Sequence, residues 1–130
     1  LLNKSHQMRN LPTANNVRQE IQDKKQREVF DKLVELVNAN LTDQQFSVDH
    51  LCLELGMNRT KLYSFIKSTT GMSLGNYIRK IRLDKAAELL RTTDMSISEV
   101  GYAVGIESPS YFTRTFKEQF GSSPSEFIKH

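Results

Sequence analysis

Two short segments of the chain combine cationic, hydroxyl and aromatic side chains at helical spacing. In each segment apolar residues recur three and four positions apart, which predicts a helix with one buried face. Such a helix presents its remaining side chains to solvent, namely Arg59, Thr60, Lys61, Tyr63, Ser64 and Lys67 in the first segment and Ser110, Tyr111, Thr113, Arg114 and Lys117 in the second. These side chains suit phosphate oxygens and the acceptor edges of bases, and Tyr and Thr can also touch thymine methyl groups. The pattern therefore predicts two surfaces that bind nucleic acid.

A purely structural interpretation competes for some of these residues. Tyr63 and Tyr111 could instead close the hydrophobic core, whereas Arg59 and Arg114 are harder to explain by packing.

The charge distribution is equally open to two interpretations. The net charge of the chain is only +3, but residues 58–91 contain eight basic residues against Asp84 and Glu88, a net charge of +6. Most runs of charge are solvated helical faces. The position of these basic residues within a motif must therefore decide whether they form a solvated face or a binding face.

The two segments belong to an internal repeat. Residues 47–57 align with residues 96–106 at an offset of 49. The match then continues at an offset of 50, where Leu62 aligns with Phe112 and Ile78 with Ile128. Apolar positions and turn glycines match together, so the same supersecondary unit occurs twice. Each copy is interpreted as a helix, a tight turn and a second helix.

Capping residues mark the ends of these helices. Ser47 and Ser96 are predicted N-caps, and Ser96 with Glu99 forms the S-x-x-E capping box. The first helix of each copy is expected to stop at Gly56 or Gly105, where a left-handed residue is required. The second helices are expected to begin after Asn58 and after Ser108, with Pro109 at the first helical position.

A small side chain, Cys52 or Gly101, lies four residues before each turn glycine. We expect the two helices of each copy to approach closely at this point. A glycine inside a helix costs about 1 kcal/mol relative to alanine, so a packing reason is required for Gly101. The same reason gives Cys52 a structural role and no reactive one.

The remaining segments complete an all-α prediction of about seven helices. Residues 1–25 are polar and contain Pro12, which indicates a linker. A helix is predicted from Gln26 to Asn38 or Asn40, and a connector helix from Ser73 to Thr92 has apolar residues on two sides. The connector would be about 28 Å long, close to the roughly 34 Å between successive major-groove faces of DNA. Two recognition helices could thus reach adjacent grooves, and bending of the DNA is a further hypothesis.

Other function classes find little support in the sequence. His6, His50 and His130 are scattered, and no nucleophile with a base, phosphate loop or metal-ligand spacing occurs, so neither catalysis nor a cofactor or metal is expected. There is no apolar run long enough for a membrane span and no signal peptide, which predicts a soluble, cytoplasmic protein. Because the chain begins at Leu1, we expect a fragment of a longer protein. A helical module that binds acidic protein partners is the main alternative to DNA binding.

Two stretches carry a resemblance to a known family. The segment IRLDKAAELL, residues 81–90, and the segment GIESPSYFTRTFKEQFGSSP, residues 105–124, resemble the AraC/XylS family of bacterial transcription regulators. The resemblance covers roughly residues 26–130 and implies a DNA-binding domain with helix-turn-helix units at about 47–70 and 96–120, joined by a connector at about 73–92. It departs from the family at Ile106, where an aromatic residue is usual, and at Gly101, where alanine is usual.

The resemblance also implies roles and partners. The residues that would face bases are Thr60, Tyr63 and Ser64 in the first unit and Ser110, Tyr111, Thr113 and Arg114 in the second. The implied partners are operator DNA and RNA polymerase, with an isolated domain that is monomeric and a preceding region that supplies dimerisation. The N-terminal residues look like the output end of a hybrid two-component regulator, and a family member with a ligand-binding N-terminal domain is the alternative.

Overall fold

The computed structural model describes residues 13–43 and 45–128, and this part of the chain is helical without strands. Its helices are α1 (Ala14–Glu20), α2 (Lys24–Ala39), α3 (Val48–Leu55), α4 (Arg59–Thr70), α5 (Leu74–Thr92), α6 (Ile97–Ala103), α7 (Pro109–Phe120) and α8 (Pro124–Ile128). The predicted all-α class is confirmed, with eight described helices where about seven were expected. Two compact units divide between Ile81 and Arg82, within α5.

The core of the first unit is formed by α2, by both helices of the first repeat copy and by the first half of α5. Phe30, Leu33 and Val37 occupy one face of α2 and are almost inaccessible to solvent. They cluster with Leu51 of α3, with Leu62 and Ile66 of α4 and with Tyr77 of α5. The rings of Phe30 and Tyr77 lie 5.9 Å apart. This core fixes which face of α4 remains outside.

The second half of the predicted linker is structured instead. Residues 14–20 form α1, which begins after Thr13 and buries Val17, and Ile21 beyond its end is also buried. Arg18 of α1 pairs with Asp31 of α2 at 2.9 Å. Two apolar residues in a polar segment give little local signal, and they are buried in the core cluster that includes Phe30, Leu33 and Val37 of α2. The first twelve residues of that predicted linker lie outside the described residues.

The second unit has an aromatic core. Val100 of α6, its C-cap Val104, and Phe112 and Phe116 of α7 are all almost inaccessible to solvent. Phe116 contacts Phe120 and Phe127 at ring distances of 4.5 and 5.2 Å. The second half of α5 contributes its own buried residues, Leu83, Ala86, Ala87 and Leu90. The buried face of α7 is thereby fixed.

The capping predictions are confirmed. Ser47, Asn58, Ser96 and Ser108 each accept a backbone N–H three residues ahead, and Ser96 and Glu99 form the reciprocal box at 3.1 and 2.7 Å. Gly56 ends α3 with φ +66°, a left-handed conformation that favours glycine. The helix before Gly105 differs slightly, because Val104 is its C-cap and Gly105 follows with φ +82°.

The close approach predicted at the small residue is confirmed at Gly101. A Cβ atom there would lie 3.1 Å from the Ile106 carbonyl oxygen and 3.2 Å from Cδ2 of Phe112. Cys52, at the equivalent position, is half-buried and packs against the first core. None of the described helices is long and apolar enough to cross a membrane.

Candidate nucleic-acid interface

The second helix of the first copy, α4, exposes a polar ridge. Leu62, Ile66 and Thr70 turn into the core, and on the opposite side lies what we call the first ridge, formed by Thr60, Tyr63, Ser64 and Lys67. Arg59 and Lys61 flank it on either side, and all six side chains are exposed. Tyr63 keeps 43% of its surface accessible, so it does not close the core. All six predicted residues of this segment are therefore accessible, and the four of the first ridge share one side of the helix.

Caps hold α4 at both ends. The Asn58 side chain accepts the Lys61 backbone N–H at 2.8 Å, and Gly71 ends the helix with φ +76°. Lys67 donates its ammonium to the Gly71 carbonyl at 3.2 Å, where a cation also complements the negative end of the helix dipole. Lys67 is therefore positioned at the last turn of the ridge.

Arg59 is engaged by two other side chains. Its Nε and Nη2 donate to Oδ1 of Asp49 at 3.0 and 2.9 Å, and its Nη1 donates to the Tyr63 hydroxyl at 3.1 Å. The bond to Asp49 first, and the bond to Tyr63 second, raise the pKa of Arg59 above its ordinary value. Sequence reasoning did not single out Asp49. It lies on α3, ten residues before Arg59, and helical periodicity carries no signal for a contact across a turn.

Lys61 lies on the other flank of the first ridge, beside a shallow apolar groove. The groove has a volume of about 360 Å³ and runs between the start of α2 and the side of α4. Val29, Met57 and Phe65 line its floor, and Lys25 and Lys61 are also in its lining. Ser64 of the first ridge also lines this groove.

The second helix of the second copy, α7, presents a matching ridge. Phe112, Thr115, Phe116 and Gln119 are buried. The second ridge, on the opposite side, is formed by Ser110, Thr113, Arg114 and Lys117, all of which are exposed. Tyr111 is half-buried at its edge, and the Arg114 guanidinium lies 5.3 Å from the centre of the Tyr111 ring. Tyr111 thus combines partial packing with an exposed cation contact.

The repeat relates the two ridges residue by residue. At the offset of 50, Thr60 corresponds to Ser110, Tyr63 to Thr113, Ser64 to Arg114 and Lys67 to Lys117. Both ridges therefore offer hydroxyl groups toward the start of the helix and a lysine in its last turn. The flanks differ, because Arg59 corresponds to Pro109 and Lys61 to Tyr111. Both ridges can donate hydrogen bonds to anionic or acceptor-rich surfaces, but their cations are placed differently.

Within the described ranges, no group of three or more His, Cys, Asp or Glu side chains is placed to hold a metal ion.

Two charged residues of α5, Arg82 and Asp84, contribute to the fold of the second unit. The side-chain amide of Gln119 donates to Asp84 at 2.7 Å, and the Arg82 guanidinium donates to the Val104 carbonyl at 2.9 Å. Burial lowers the pKa of Arg82. Part of the basic run at residues 58–91 is therefore structural, but at Arg82 it makes a part-buried contact and is not the solvated helical face of the simpler interpretation.

Comparisons with known proteins agree with this geometry. A family described as "Helix-turn-helix domain" matches residues 51–130. The chain is 37% identical over 100 residues to "Histidine kinase P4" of Formosa agariphila, which covers 77% of the chain and 7% of that protein. It is 34% identical over 97 residues to "HTH-type transcriptional regulator CdhR" of Pseudomonas aeruginosa, covering 73% of the chain and 29% of that protein. The chain thus spans less than a third of the length of these two relatives.

Solved structures show the same architecture. A transcriptional regulator with an AraC-type DNA-binding domain from Chromobacterium violaceum superposes with a TM-score of 0.74 at 27% identity, over 82% of this chain and 95% of the other. The DNA-binding domain of AdpA, a global transcriptional factor solved in complex with a target DNA, superposes with a TM-score of 0.66 at 28% identity, over 82% and 92%. Both superpositions include 82% of this chain, so the chain shares its helical fold with these two DNA-binding proteins.

Proposed function

Because the chain belongs to the AraC/XylS family of helix-turn-helix transcription regulators, we propose that α4 and α7 are its two recognition helices and that they enter adjacent major grooves of one DNA duplex. Binding of double-stranded DNA and regulation of transcription are the function of this domain. The observation that carries the proposal is that both second helices of the repeat expose corresponding ridges of hydroxyl and cationic side chains.

The ridge residues divide into two roles. Thr60, Tyr63 and Ser64 of the first ridge and Ser110, Thr113 and Arg114 of the second, with Tyr111 at its edge, would contact base edges, which carry the sequence information. The lysines Lys61, Lys67 and Lys117 would contact phosphates, which fix the register of the protein on the duplex. Arg114 is the strongest candidate for a direct contact, because an arginine can donate two parallel hydrogen bonds to guanine. The nineteen residues of α5 connect the two units, which divide within this helix.

Selection of bound sequences from a random pool of DNA duplexes tests this proposal. We expect a preferred site with two short conserved blocks about one helical turn, roughly 10 base pairs, apart. Binding to that site should survive an excess of non-specific DNA and weaken steeply with salt. A chain that enriches no sequence from the pool would contradict the proposal and would favour the alternative of an interaction module for acidic protein partners.

For the whole protein we propose an output role in a hybrid two-component regulator. The similarity to a protein named a histidine kinase, of which this chain corresponds to 7%, supports that arrangement. RNA polymerase as a partner, a monomeric isolated domain and dimerisation through other parts of the protein belong to the same proposal. The proposal includes no catalytic activity for this domain.

A further inference from the structure

An ion pair lies beside the first ridge, and the described residues around the second ridge form no equivalent pair. Each of the three guanidinium nitrogens of Arg59 already faces an acceptor, Nε and Nη2 the Asp49 carboxylate and Nη1 the Tyr63 hydroxyl. In the second copy Asp49 corresponds to Ser98 and Arg59 to Pro109, so neither partner of the pair exists there. Arg114, by contrast, makes no ion pair within the described part of the chain.

The pair contributes little to stability. About half of the Arg59 side chain and three quarters of the Asp49 side chain are accessible to solvent, and exposed ion pairs contribute little to folding. Its main effect is electrostatic and local. A carboxylate placed 2.9 Å from the cation cancels much of the attraction that Arg59 would otherwise exert on a phosphate. Attraction to phosphates is the same for every sequence, so it raises affinity without selectivity.

The pair also orients the Tyr63 hydroxyl. Because Tyr63 accepts a hydrogen bond from Arg59 at 3.1 Å, its own hydroxyl hydrogen is left to donate outward from the ridge. A fixed donor suits the acceptor atoms of the major groove, which purines present at N7 and thymine at O4. Asp49 thus acts on Tyr63 through Arg59, across the turn between α3 and α4.

On the basis of the proposed function, we propose that Asp49 is a specificity-determining positioning residue, which holds Arg59 off the DNA phosphates and against Tyr63. Released from Asp49, Arg59 would bind phosphates of any sequence and Tyr63 would lose its fixed orientation. The selectivity of the first unit then depends on a residue that lies outside the recognition helix.

The test uses the full 130-residue chain with Asp49→Asn, and Asp49→Ser as a second variant that copies the residue of the second unit. Affinity is measured for the duplex enriched from the random pool and for a duplex of scrambled sequence, each over a salt series. We expect the affinity for scrambled DNA to rise about two- to fivefold at low salt, the effect of one exposed charge pair. The slope of log K against log salt should steepen by about 0.9, the value for one additional phosphate contact.

Glu54→Gln is the matched control, since it removes the same charge from the same helix α3, where Glu54 is exposed and forms no ion pair within the described residues. The salt slope of this control should stay at the wild-type value. Arg59→Gln provides the second comparison: adding Asp49→Asn to it should change the ratio of specific to non-specific affinity by less than twofold.

Two results would overturn the inference. One is an equal loss of selectivity in Asp49→Asn and Glu54→Gln, and the other is an effect of Asp49→Asn that persists when Arg59 is absent. In both cases the wild-type chain still prefers its site, so the proposed function stands. A wild-type chain without any preferred site would overturn the proposed function and the inference together.

Discussion

At the scale of single residues, the two arginines beside the ridges have different environments. Arg59 is bound to Asp49 and Tyr63, whereas Arg114 is exposed, lies over the Tyr111 ring and forms no ion pair with the described residues. A guanidinium without an anionic partner retains its full attraction for an acceptor on DNA. Arg114 should therefore dominate the energetics of specific binding.

We expect Arg114→Ala to weaken binding to the selected site by about 1–3 kcal/mol and to leave the melting temperature nearly unchanged. Arg114→Lys is the informative companion, because it keeps the charge and loses the planar pair of donors. The lysine variant should retain the wild-type salt slope and lose selectivity at one base pair. Equilibrium binding to the selected site and to single-base variants of it measures both effects, and an unchanged base preference in both variants would exclude a base contact.

At the scale of secondary-structure elements, the capping box of the first helix in the second copy gives a pH-dependent prediction. The Glu99 carboxylate accepts the Ser96 backbone N–H at 2.7 Å, and this bond, followed by a contribution of the Ser96 side chain, lowers the pKa of Glu99 below its ordinary value of 4.5. A lowered pKa means that the charged form is favoured by folding. Its contribution to stability is complete above pH 4.5 and is lost as the pH falls through the folded-state pKa.

Thermal unfolding of the wild type and of Glu99→Gln between pH 7 and pH 3 tests this linkage. We expect the wild type to be more stable near neutral pH and the difference to shrink as Glu99 becomes protonated. Glutamine keeps the size of the side chain and can still accept the bond, so the fold is preserved in the control. A difference that is constant over the whole pH range would show that the carboxylate charge contributes nothing.

The contact between the two helices of the second copy gives a steric prediction. A side chain at Gly101 would meet the Ile106 carbonyl and the Phe112 ring at 3.1–3.3 Å, whereas Gly75 of α5 has no atom within 4 Å of a built Cβ. We expect Gly101→Val to lower the free energy of unfolding by about 1–3 kcal/mol, the usual cost of overpacking. Gly75→Val is the control and should cost less than 0.5 kcal/mol or stabilise slightly, because it only exchanges a glycine in a helix for a residue of higher helix propensity. Chemical denaturation measures both, and equal losses would contradict the close approach.

At the scale of the whole molecule, two structurally similar units predict a bipartite DNA site. Each unit has its own core and its own ridge, and the ridges share only part of their residues, so the two half-sites should differ in sequence. This distinguishes a domain with two internal copies from a symmetric dimer, whose half-sites are related by symmetry.

The assignment of one half-site to each unit can be tested by repeating the random-pool selection with two variants, Tyr63→Ala and Thr113→Ala, taken separately. Each variant should relax the preference in one block of the site and leave the other block unchanged, because Tyr63 and Thr113 are equivalent positions of different units. The wild-type selection is the reference. Changes in the same block for both variants would show that a single ridge reads the DNA.

The sequence alone was sufficient for the features that follow from local geometry. The faces of α4 and α7, the four N-caps and the glycine at the end of α3 depend on periodicity and on backbone hydrogen bonds within a few residues, which a sequence displays directly. The internal repeat extended this information, since a pattern found twice identifies equivalent positions such as Cys52 and Gly101 without any coordinates.

Only the tertiary structure determined the features that depend on contacts between distant residues. Val17 and Ile21 are buried because α2 lies beside them, and Asp49 engages Arg59 because the turn brings α3 against the start of α4. Neither contact produces a periodic pattern, because it is decided by how two packed surfaces fit and not by the spacing of residues along one helix. For the same reason the sequence identified the two exposed ridges but did not identify the carboxylate of Asp49, which pairs with Arg59 beside one of them.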